Sequence, residues 1–494
     1  MRTKHLLLTA AAGLLAAFSF RPHLWFLALL AISLFIASLR QDSRKWRVIS
    51  AMTFAVFMYG PLLSWLSVVG MNATVFLVVV CALPWLLFVL YQPNDSFVIS
   101  ALRASGVVVL IEWVHSSVPW GGFPWGLFAY SQVDGPLMWA ARLGGQVATT
   151  AMVVACGFAL YAAVVHRAFA LLTLTAIVVL VGNLTLHSTS TTDTIRVAVI
   201  QGNVPRLGLN PVAQADRVFA NHIAQTHKLA VDIKNGKASP VDFVVWPEDA
   251  ADGDPIAHRA MFDEIQQVVD ELNVPILIGA AVSDADLGPY NSGILWLPHE
   301  GPSQRYEKSH LVPFGEYIPN QNILLRFADR FGITPNHYIA GKRTGIMTLN
   351  TSTVFGDVIC FEIAYDNHLR QLIDHGASFI TVQSNNATYA HTDQPMQQLQ
   401  ITRFRAIEHQ RDFAVATTTG FSAMVRADGN VVAQSKEMSA TYLIATLSKR
   451  NDRQPIDRWG SAPWLALFGL IVGSSFIRQR GWRGTSFTST TAIT

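Results

Sequence analysis

Long apolar stretches dominate the chain up to about residue 189, whereas the next part alternates short apolar and polar segments. Seven of the early stretches approach or reach the roughly 17–25 residues that a membrane-spanning helix needs, and an eighth lies near the C-terminus. They fall near residues 5–20, 24–39, 48–69, 73–91, 98–116, 148–165, 168–187 and 462–478. The pattern therefore predicts an eight-helix transmembrane bundle.

From residue 194 the periodicity changes to short strand-like runs separated by helical segments. Strands are predicted near 195–203, 241–245, 275–280, 293–297, 354–360, 378–383 and 413–417, with helices near 213–234, 256–272 and 394–409. Strands that alternate with helices indicate an α/β fold whose sheets are covered by helices. We expect three parts: a seven-span transmembrane bundle over 1–189, a catalytic α/β domain over 190–455, and a transmembrane helix with a tail over 456–494.

The composition agrees with this division. Hydrophobic residues make up 51% of the chain, charged residues only 14%, and the mean hydropathy is +0.32. Ordinary soluble proteins carry about 25% charged residues, so the chain is too apolar for a soluble enzyme. The net charge of +3 is small and gives no reason to expect a nucleic-acid partner.

Basic residues between the apolar stretches predict the orientation. If the spans alternate, one face collects the basic clusters at positions 2–4, 40–47, 103, 166–167 and 478–483, whereas Arg21 and Arg142 fall on the other face. Cytoplasmic loops carry the excess of Lys and Arg. We therefore expect a multi-pass membrane protein with both termini in the cytoplasm and the catalytic domain on the extracytoplasmic side.

Three short blocks in the α/β part carry the candidate chemistry. Glu248 follows Trp-Pro at a strand end, Lys308 lies in a polar loop, and Cys360 ends a buried strand. A free cysteine is only a few per cent ionised at neutral pH and needs a base or a nearby cation. A positioned general base is worth roughly 10²–10⁴ in rate, and a cation can stabilise a tetrahedral oxyanion. Base, cation and thiol together predict acyl transfer through a thioester.

Neighbouring residues supply supporting roles. The backbone N–H of Phe361 is expected to assist Lys308 at the oxyanion, and Glu362 follows in the same turn. Glu316 is expected to orient Lys308 or to hold the loop. Each member of the trio taken alone is more often an ordinary surface or core residue, so the prediction depends on their joint occurrence with these flanks. Two further cysteines, Cys81 and Cys156, lie in apolar stretches and are predicted to be buried hydrophobes.

Several residues are predicted to face the substrate or the lipid. Glu112 lies late in the fifth apolar stretch, where an ionisable group costs about 2.5–3.5 kcal/mol and needs a partner or cavity. Trp120 and Trp125 follow in a Gly/Pro-rich loop that suits the membrane interface. This segment is either a lipid-facing rim or an interfacial loop with a buried Glu–His contact. Asn386 and Tyr389 follow a predicted strand and are expected to line the site.

No cofactor and no metal ion are predicted. The histidines at positions 310, 375, 391 and 409 lack paired ligand spacing, and the sequence contains no Walker-type phosphate loop and no GxGxxG.

These flanks resemble the nitrilase superfamily, whose sites combine Glu, Lys and Cys on an αββα sandwich. Together with the apolar stretches, the chain is similar to the bacterial apolipoprotein N-acyltransferase family, which has eight spans and an extracytoplasmic nitrilase-like domain. The resemblance covers nearly the whole chain. The matching stretches are 112–113, 122–125, 130–132, 201–203, 246–248, 308–319, 359–362, 403–408 and 428–429.

The resemblance implies a reaction at the membrane. Cys360 would attack a phospholipid acyl donor with Glu248 as base, and the acyl chain would pass to the α-amine of the diacylglyceryl-cysteine of an apolipoprotein. Thr388 stands where many members carry Trp, which is similar to the actinobacterial branch and leaves acyl-chain preference open. In that branch a polyprenol-phosphate mannose synthase can be coupled, and here it would be a separate partner. A monomer is expected.

Two other functions remain open from the sequence. One is a membrane-anchored amidase or nitrilase that acts on small substrates. The other is a non-catalytic membrane scaffold for a polyprenol-phosphate mannose synthase. The trio argues against a scaffold, and the Trp-rich loop argues against small soluble substrates.

Overall fold

The computed structural model describes residues 2–39, 43–94, 96–185, 191, 193–204, 214–284, 286–320 and 337–481. Its N-terminal part is helical. The helices are α1 (Arg2–Phe18), α2 (Phe26–Ser38), α3 (Arg44–Leu62), α4 (Met71–Ala82), α5 (Phe97–His115), α6 (Trp139–His166) and α7 (Phe169–Thr185). Short 3₁₀ helices cover Ser64–Val68, Leu83–Leu90 and Phe128–Gln132.

Three helical segments in the described residues are long and apolar enough to cross a membrane: Met71–Leu90, Phe97–His115 and Trp139–His166. Four shorter apolar helices are Thr3–Phe18, Phe26–Ser38, Phe169–Thr185 and Ala462–Ser475. Arg44–Leu62 belongs to neither set, because basic residues in its first turn lower its hydropathy. The predicted number of eight spans therefore stays a prediction.

Aromatic side chains fill the centre of the helical part. Phe35 lies 4.6 Å from Phe54 and 5.0 Å from Phe88 between ring centroids, and Trp85 packs against the same group. Small residues let the helices approach closely, as at Gly157, where an added side-chain carbon would lie 2.6 Å from Ile32. The packing follows from the apolar sequence on all sides of these helices.

Within the described residues, the α/β part contains twelve strands and five α-helices. The strands are β1 (Thr194–Gln201), β2 (Phe243–Val245), β3 (Ile276–Asp284), β4 (Gly288–Leu297), β5 (Gly301–Glu307), β6 (Ile346–Asn350), β7 (Thr353–Ile359), β8 (Ile380–Ser384), β9 (Phe413–Thr417), β10 (Ala423–Val425), β11 (Val431–Gln434) and β12 (Thr441–Ser448). The helices are α8 (Ala215–Lys234), α9 (Arg259–Leu272), α10 (Asp366–Asp374), α11 (Gln394–His409) and α12 (Pro455–Trp459), and α13 (Ala462–Gly481) follows them.

The strands form two six-stranded sheets with related topology. One sheet has the order β12-β1-β2-β3-β4-β5 and the other β11-β10-β9-β8-β7-β6. In each sheet three neighbouring strands run parallel, β1 with β2 and β3 in one and β7 with β8 and β9 in the other, and the remaining strands pair antiparallel. β2 and β7 belong to different sheets, so the face-to-face packing of the sheets brings the residues after them to one region.

The layers run helix, sheet, sheet, helix. Side chains of both sheets interdigitate between them, including Val197, Phe243, Leu277, Phe355 and Phe379. Helices α8 and α9 cover the outer face of the first sheet. Helices α10 and α11 cover the second sheet, and their apolar cluster continues into the membrane helices. The predicted α/β fold with two sheets is confirmed, and the second helix layer joins it to the bundle.

Candidate active site

Glu248 lies in the turn after β2, where Pro247 follows the fully buried Trp246. Its side chain is only 5% exposed. One carboxylate oxygen accepts a hydrogen bond from Asn291 Nδ2 (2.7 Å), and the other accepts one from the backbone N–H of Asn385 (2.8 Å). Donors on both oxygens fix the direction of the carboxylate, as a general base requires.

Lys308 is buried between two carboxylates. Its Nζ lies 2.9 Å from Glu248 Oε1 and 2.9 Å from Glu316 Oε1, and its side chain is 1% exposed. Burial alone would lower the pKa of Lys308, but the adjacent Glu248 and Glu316 carboxylates raise it well above its usual value. Lys308 is therefore a fixed cation, which is what the sequence predicts for it.

Cys360 occupies a left-handed backbone conformation (φ 54°) directly after β7, where a 3₁₀ helix (Cys360–Ala364) begins. Left-handed conformations are uncommon for residues other than Gly and store strain of about 1–3 kcal/mol, and such residues cluster at functional sites. The sharp turn lifts the cysteine out of the strand, so it retains partial exposure while Ile359 before it is buried.

The thiol is protonated in the resting protein. Burial raises the pKa of Cys360 far above its usual value, and the nearby Glu248 carboxylate raises it further, whereas Lys308 lowers it. A hydrogen bond with Glu248 also favours the neutral thiol. The arrangement is therefore a thiol paired with a carboxylate base, so that the proton leaves only as the sulfur attacks.

Asn291 is a site residue that the sequence analysis missed. Its side-chain amide donates to Glu248 and, at 3.1 Å, to Glu316 Oε1, while its backbone carbonyl accepts the N–H of Lys308 (2.8 Å). Glu316 also accepts the N–H of Val312 at 2.7 Å, so it contacts both the lysine and the loop. No motif marks Asn291, because only the pairing of β4 with β5 brings it beside Lys308.

Glu362 anchors the loop that carries Lys308. The carboxylate is fully buried, and Oε1 accepts hydrogen bonds from the Tyr306 hydroxyl (2.7 Å), the Ser309 N–H (2.7 Å) and the His310 N–H (2.9 Å). Burial alone would raise the pKa of Glu362, but His368 and these donors hold it well below its usual value. Glu362 is thus placed to stabilise the loop, two residues after Cys360.

Replacing Glu362 by Gln is expected to lower the free energy of unfolding by about 1–3 kcal/mol, because an amide cannot accept all of these bonds. The contribution of a carboxyl with a lowered pKa is fully present above the ordinary Glu value and is lost as pH falls from that value through the lowered one. Unfolding of both proteins in detergent between pH 2 and pH 8 measures this. The deficit should shrink toward acidic pH, and a deficit that is constant with pH would contradict the assignment.

Aromatic residues from the helical part pack against Phe361, the residue after Cys360. The Phe361 ring stacks on Phe123 at 5.6 Å and on Trp125 at 6.2 Å between centroids. Trp125 is buried (3% exposed) and donates through Nε1 to Gln397 Oε1 at 2.7 Å. Trp125 therefore supports the site from inside rather than facing lipid, and Phe123 is a further residue that the sequence analysis did not single out.

The other residues predicted to face lipid or substrate have different surroundings. Trp120 is partly buried and packs edge-on against Phe314 at 5.5 Å, in the loop that follows Lys308. The Tyr389 ring packs edge-on against Trp65, 5.2 Å apart between ring centroids. Burial, together with the nearby Cys360, raises the pKa of Tyr389 to about 12. Asn386 is buried and donates to two glutamines of α11.

Glu112 faces the interior of the helical part, which corrects the predicted location. Its carboxylate accepts hydrogen bonds from the Phe128 N–H (2.8 Å) and the Thr150 hydroxyl (2.6 Å), and the residue is 6% exposed. The expected Glu–His contact is replaced by a bond between His115 and the Tyr59 hydroxyl at 3.1 Å. Glu112 therefore ties α5 to α6 and to the Phe128–Gln132 segment.

Two groups of described residues bring metal-type ligands together: His310 with Glu362 and His368, and Asp366 with Glu408 and His409. Glu362 is already saturated with donors in the first group. In the second group the Arg405 guanidinium donates to Glu408, and its positive charge opposes a second cation. Neither group favours a metal ion, and the expectation of a metal-free protein stays a prediction.

The sequence models of two families match this chain. The model of the apolipoprotein N-acyltransferase N-terminal domain matches residues 12–159, and that of the carbon-nitrogen hydrolases matches residues 196–454. The second match covers more than half of the chain and includes Glu248, Lys308 and Cys360. The chain therefore belongs to the carbon-nitrogen hydrolase family.

Similar proteins of known name narrow the assignment within the carbon-nitrogen hydrolase family. The apolipoprotein N-acyltransferase of Mycolicibacterium smegmatis is 33% identical over 365 residues, which cover 67% of this chain and 60% of that protein. Those of Vibrio cholerae and Haemophilus influenzae are each 26% identical over 96% of this chain, and 97% and 95% of their own lengths. Together with the N-terminal match, they place the chain among the apolipoprotein N-acyltransferases, which confirms the family predicted from its motifs.

Proposed function

We propose that this protein transfers an acyl chain from a membrane phospholipid, through a thioester on Cys360, to the α-amine of a diacylglyceryl-cysteine at the start of an apolipoprotein. The relatives are named for N-acylation of apolipoproteins. The trio supplies the groups that the reaction needs: a hydrogen-bonded base, a fixed cation and a thiol on a sharp turn.

The first half-reaction forms the acyl-enzyme. Glu248 takes the thiol proton as the Cys360 sulfur attacks the ester carbonyl, and Lys308 stabilises the tetrahedral oxyanion together with the Phe361 N–H. Collapse of this species breaks the carbon–oxygen bond of the ester. Glu248 returns the proton to the leaving oxygen, so that a lysophospholipid departs and a Cys360 thioester remains.

The second half-reaction uses the same groups in the opposite order. The neutral α-amine attacks the thioester carbonyl while Glu248 accepts its proton, and an amide forms as the carbon–sulfur bond breaks. The proton then passes to the departing thiolate. The raised pKa of Cys360 makes the thiolate a strong base, so this reprotonation restores the resting thiol. Both half-reactions balance without a cofactor.

The stacking of Phe361 on Phe123 and Trp125 carries the proposal. It joins the residue after the nucleophile to the helical part of the chain. The Lys308 loop is similarly joined through Phe314, which packs against Trp120 and, at 6.0 Å, against Phe76 of α4. A site held by apolar helices on two sides suits substrates that are lipids.

The proposal includes the predicted arrangement in the membrane. Eight spans, formed by 1–189 and 456–494 around the catalytic domain 190–455, would put both termini in the cytoplasm and the site on the extracytoplasmic side. Cysteine-accessibility labelling of single cysteines placed at exposed Lys237 and Arg44 tests this. The cysteine of Lys237→Cys is expected to react with an impermeant reagent in intact spheroplasts, and that of Arg44→Cys only after lysis.

Cys360→Ala is expected to abolish acyl-enzyme formation. Intact mass of the purified protein after incubation with a defined phospholipid should rise by one acyl chain in wild type alone. A diacylglyceryl-cysteine peptide should then remove the added mass. As a matched control, Cys156→Ala changes a cysteine in α6 and should leave the acylation unchanged.

Other outcomes of this experiment would select another function. An adduct formed from a small amide but never from phospholipid would indicate a membrane-anchored amidase. A folded wild-type protein without any adduct, and a Cys360→Ala variant that supports cells, would indicate a scaffold, for which a polyprenol-phosphate mannose synthase of the actinobacterial kind is the proposed partner. Light scattering of the detergent complex tests the proposed monomer.

A further inference from the structure

Two acceptor oxygens are buried side by side between the two sheets. Asp357 lies in β7 and Gln383 in β8, and both are fully buried. Within the part of the chain that the structure describes, neither Asp357 Oδ2 nor Gln383 Oε1 has a hydrogen-bond partner. Both oxygens approach the same point, the position that a side-chain carbon on Gly293 would occupy, at 2.3 and 2.7 Å.

The remaining atoms of both side chains fix their orientation. Gln383 Nε2 donates to the Trp246 carbonyl at 2.6 Å, and turning the amide around would set two oxygens against each other there. Asp357 Oδ1 accepts the hydroxyl of Thr381 at 2.7 Å. The unpartnered carboxyl oxygen and the unpartnered amide oxygen therefore lie beside the same point, at most about 5.0 Å apart, since they are 2.3 and 2.7 Å from it.

A proton between these oxygens resolves the conflict. A buried carboxylate that faces another acceptor costs several kcal/mol, whereas a carboxylic acid donates to the amide. The titratable groups that face Asp357 are Glu362 from the turn after β7 and Tyr306 from β5, and neither offers a positive charge. Burial, with a smaller contribution from Glu362, raises the pKa of Asp357 to about 8, although hydrogen bonds from Thr381 and from the Val358 N–H act in the opposite direction.

We propose that Asp357 is a protonated positioning residue, whose carboxylic acid donates to Gln383 Oε1 and so completes a hydrogen-bond chain to the Trp246 carbonyl. Asp357 precedes Cys360 by three residues on β7, and Trp246 precedes Glu248 by two residues after β2. This hydrogen-bond chain fixes β7, which Cys360 follows, relative to the end of β2, after which Glu248 lies, and so links the two sheets. The inference rests on the proposed function for the roles of Cys360 and Glu248.

Gly293 is part of this arrangement. It lies in β4, two residues from Asn291, and any side chain there would collide with both oxygens. The strand that presents Asn291 to Glu248 thus passes directly over the hydrogen bond between Asp357 and Gln383.

Asp357→Asn tests whether the Asp357 carboxyl carries a proton. The Asn amide can donate to Gln383 while its oxygen accepts from Thr381, so the acylation rate near pH 7 should stay within about threefold of wild type. Asp357→Leu removes the donor and should slow acylation about tenfold or more. The wild-type rate should fall above about pH 8 as Asp357 ionises, and the Asp357→Asn variant should lack this alkaline fall.

Asp412→Asn provides the matched control. Asp412 is also buried, but both of its oxygens accept backbone N–H bonds, from Ala427 and Ser448 at 2.8 Å each. The same substitution there should lower the melting temperature and leave the alkaline fall in place. Asp357→Asn slowing acylation as much as Asp357→Leu, or a folded Asp357→Leu variant with the wild-type rate, would overturn the inference.

The free energy of unfolding and infrared spectra test the protonation of Asp357 without any substrate. A carboxyl with a raised pKa holds a proton that the unfolded chain has released, so wild type should lose stability relative to Asp357→Asn as pH rises from 4 toward about 8. The protonated-carboxyl band at neutral pH should weaken in Asp357→Asn. Failure of the proposed function would instead appear as wild-type protein without an acyl adduct, with both of these readouts intact.

Discussion

Glu248→Gln is expected to slow acyl-enzyme formation by about 10²–10⁴, the value of a positioned general base. The amide cannot accept the thiol proton, and Cys360 has a raised pKa that leaves almost no thiolate at neutral pH. The variant should therefore react only through its small thiolate fraction, so its rate should rise by about tenfold per pH unit. Quenched-flow mass spectrometry between pH 5.5 and pH 7.5, where Asp357 keeps its proton, measures both effects.

Glu316→Gln is the matched control for this change. Glu316 shares two partners with Glu248, since its Oε1 also contacts Lys308 and Asn291. The hydrogen bond to the Cys360 thiol belongs to Glu248. Glu316→Gln should reduce the rate less and keep the wild-type pH dependence. If the two variants lose the same activity with the same pH profile, Glu248 is not the base.

The trio could be predicted from the sequence because each member lies next to a strong local signal. Trp-Pro stiffens the turn before Glu248, and Cys360 follows a run of buried strand residues. The two strands lie in different sheets, so the packing of the sheets, rather than the sequence order, brings their ends together. Lys308 could be predicted from the sequence of its loop. Strand β5 before it was not predicted, because the polar residues of this strand give little hydrophobic signal.

Other parts of the site could not be predicted, because they depend on contacts between distant segments. Asn291 acts through the pairing of β4 with β5, and Phe123 acts through its stacking on Phe361. Glu112 is the clearest example of a wrong location. An acidic residue in an apolar stretch indicates a partner or a cavity, but the sequence does not say that its partners are Phe128 and Thr150.

The same limit applies to whole elements. Strands β10, β11 and β12 were not predicted, and the last of these pairs along its full length with β1. Its sequence combines Thr, Tyr and aliphatic residues without strict alternation, and tertiary pairing decides its conformation. In the helical part, α4 changes to a 3₁₀ helix at Leu83–Leu90, where Pro84 removes one backbone donor.

Lys308→Met should have the second large effect, because it removes a buried cation and leaves two carboxylates facing each other. Breaking such a pair typically costs about 3–5 kcal/mol of stability. Losing an oxyanion donor slows the reaction by about 10²–10³. The pKa of Lys308 is raised in the folded protein, so its stabilising contribution is fully present below the ordinary Lys value and is lost only as pH rises through the raised one. The lysine's own contribution is therefore constant from pH 6 to pH 9, and the deficit should grow toward alkaline pH as the two carboxylates of the variant lose their shared proton.

The pH profile separates a catalytic role of Lys308 from a purely structural one. Without the ammonium group, Glu248 and Glu316 share a proton near Asn291, so ionising Glu248 requires a higher pH and the residual rate should shift to the alkaline side. Lys449→Met is the control. Lys449 pairs with Asp193 at 2.8 Å in the same domain, and its loss should lower stability slightly without moving the profile. If the pH profile of Lys308→Met has the wild-type shape at a uniformly lower rate, the role of Lys308 is only structural.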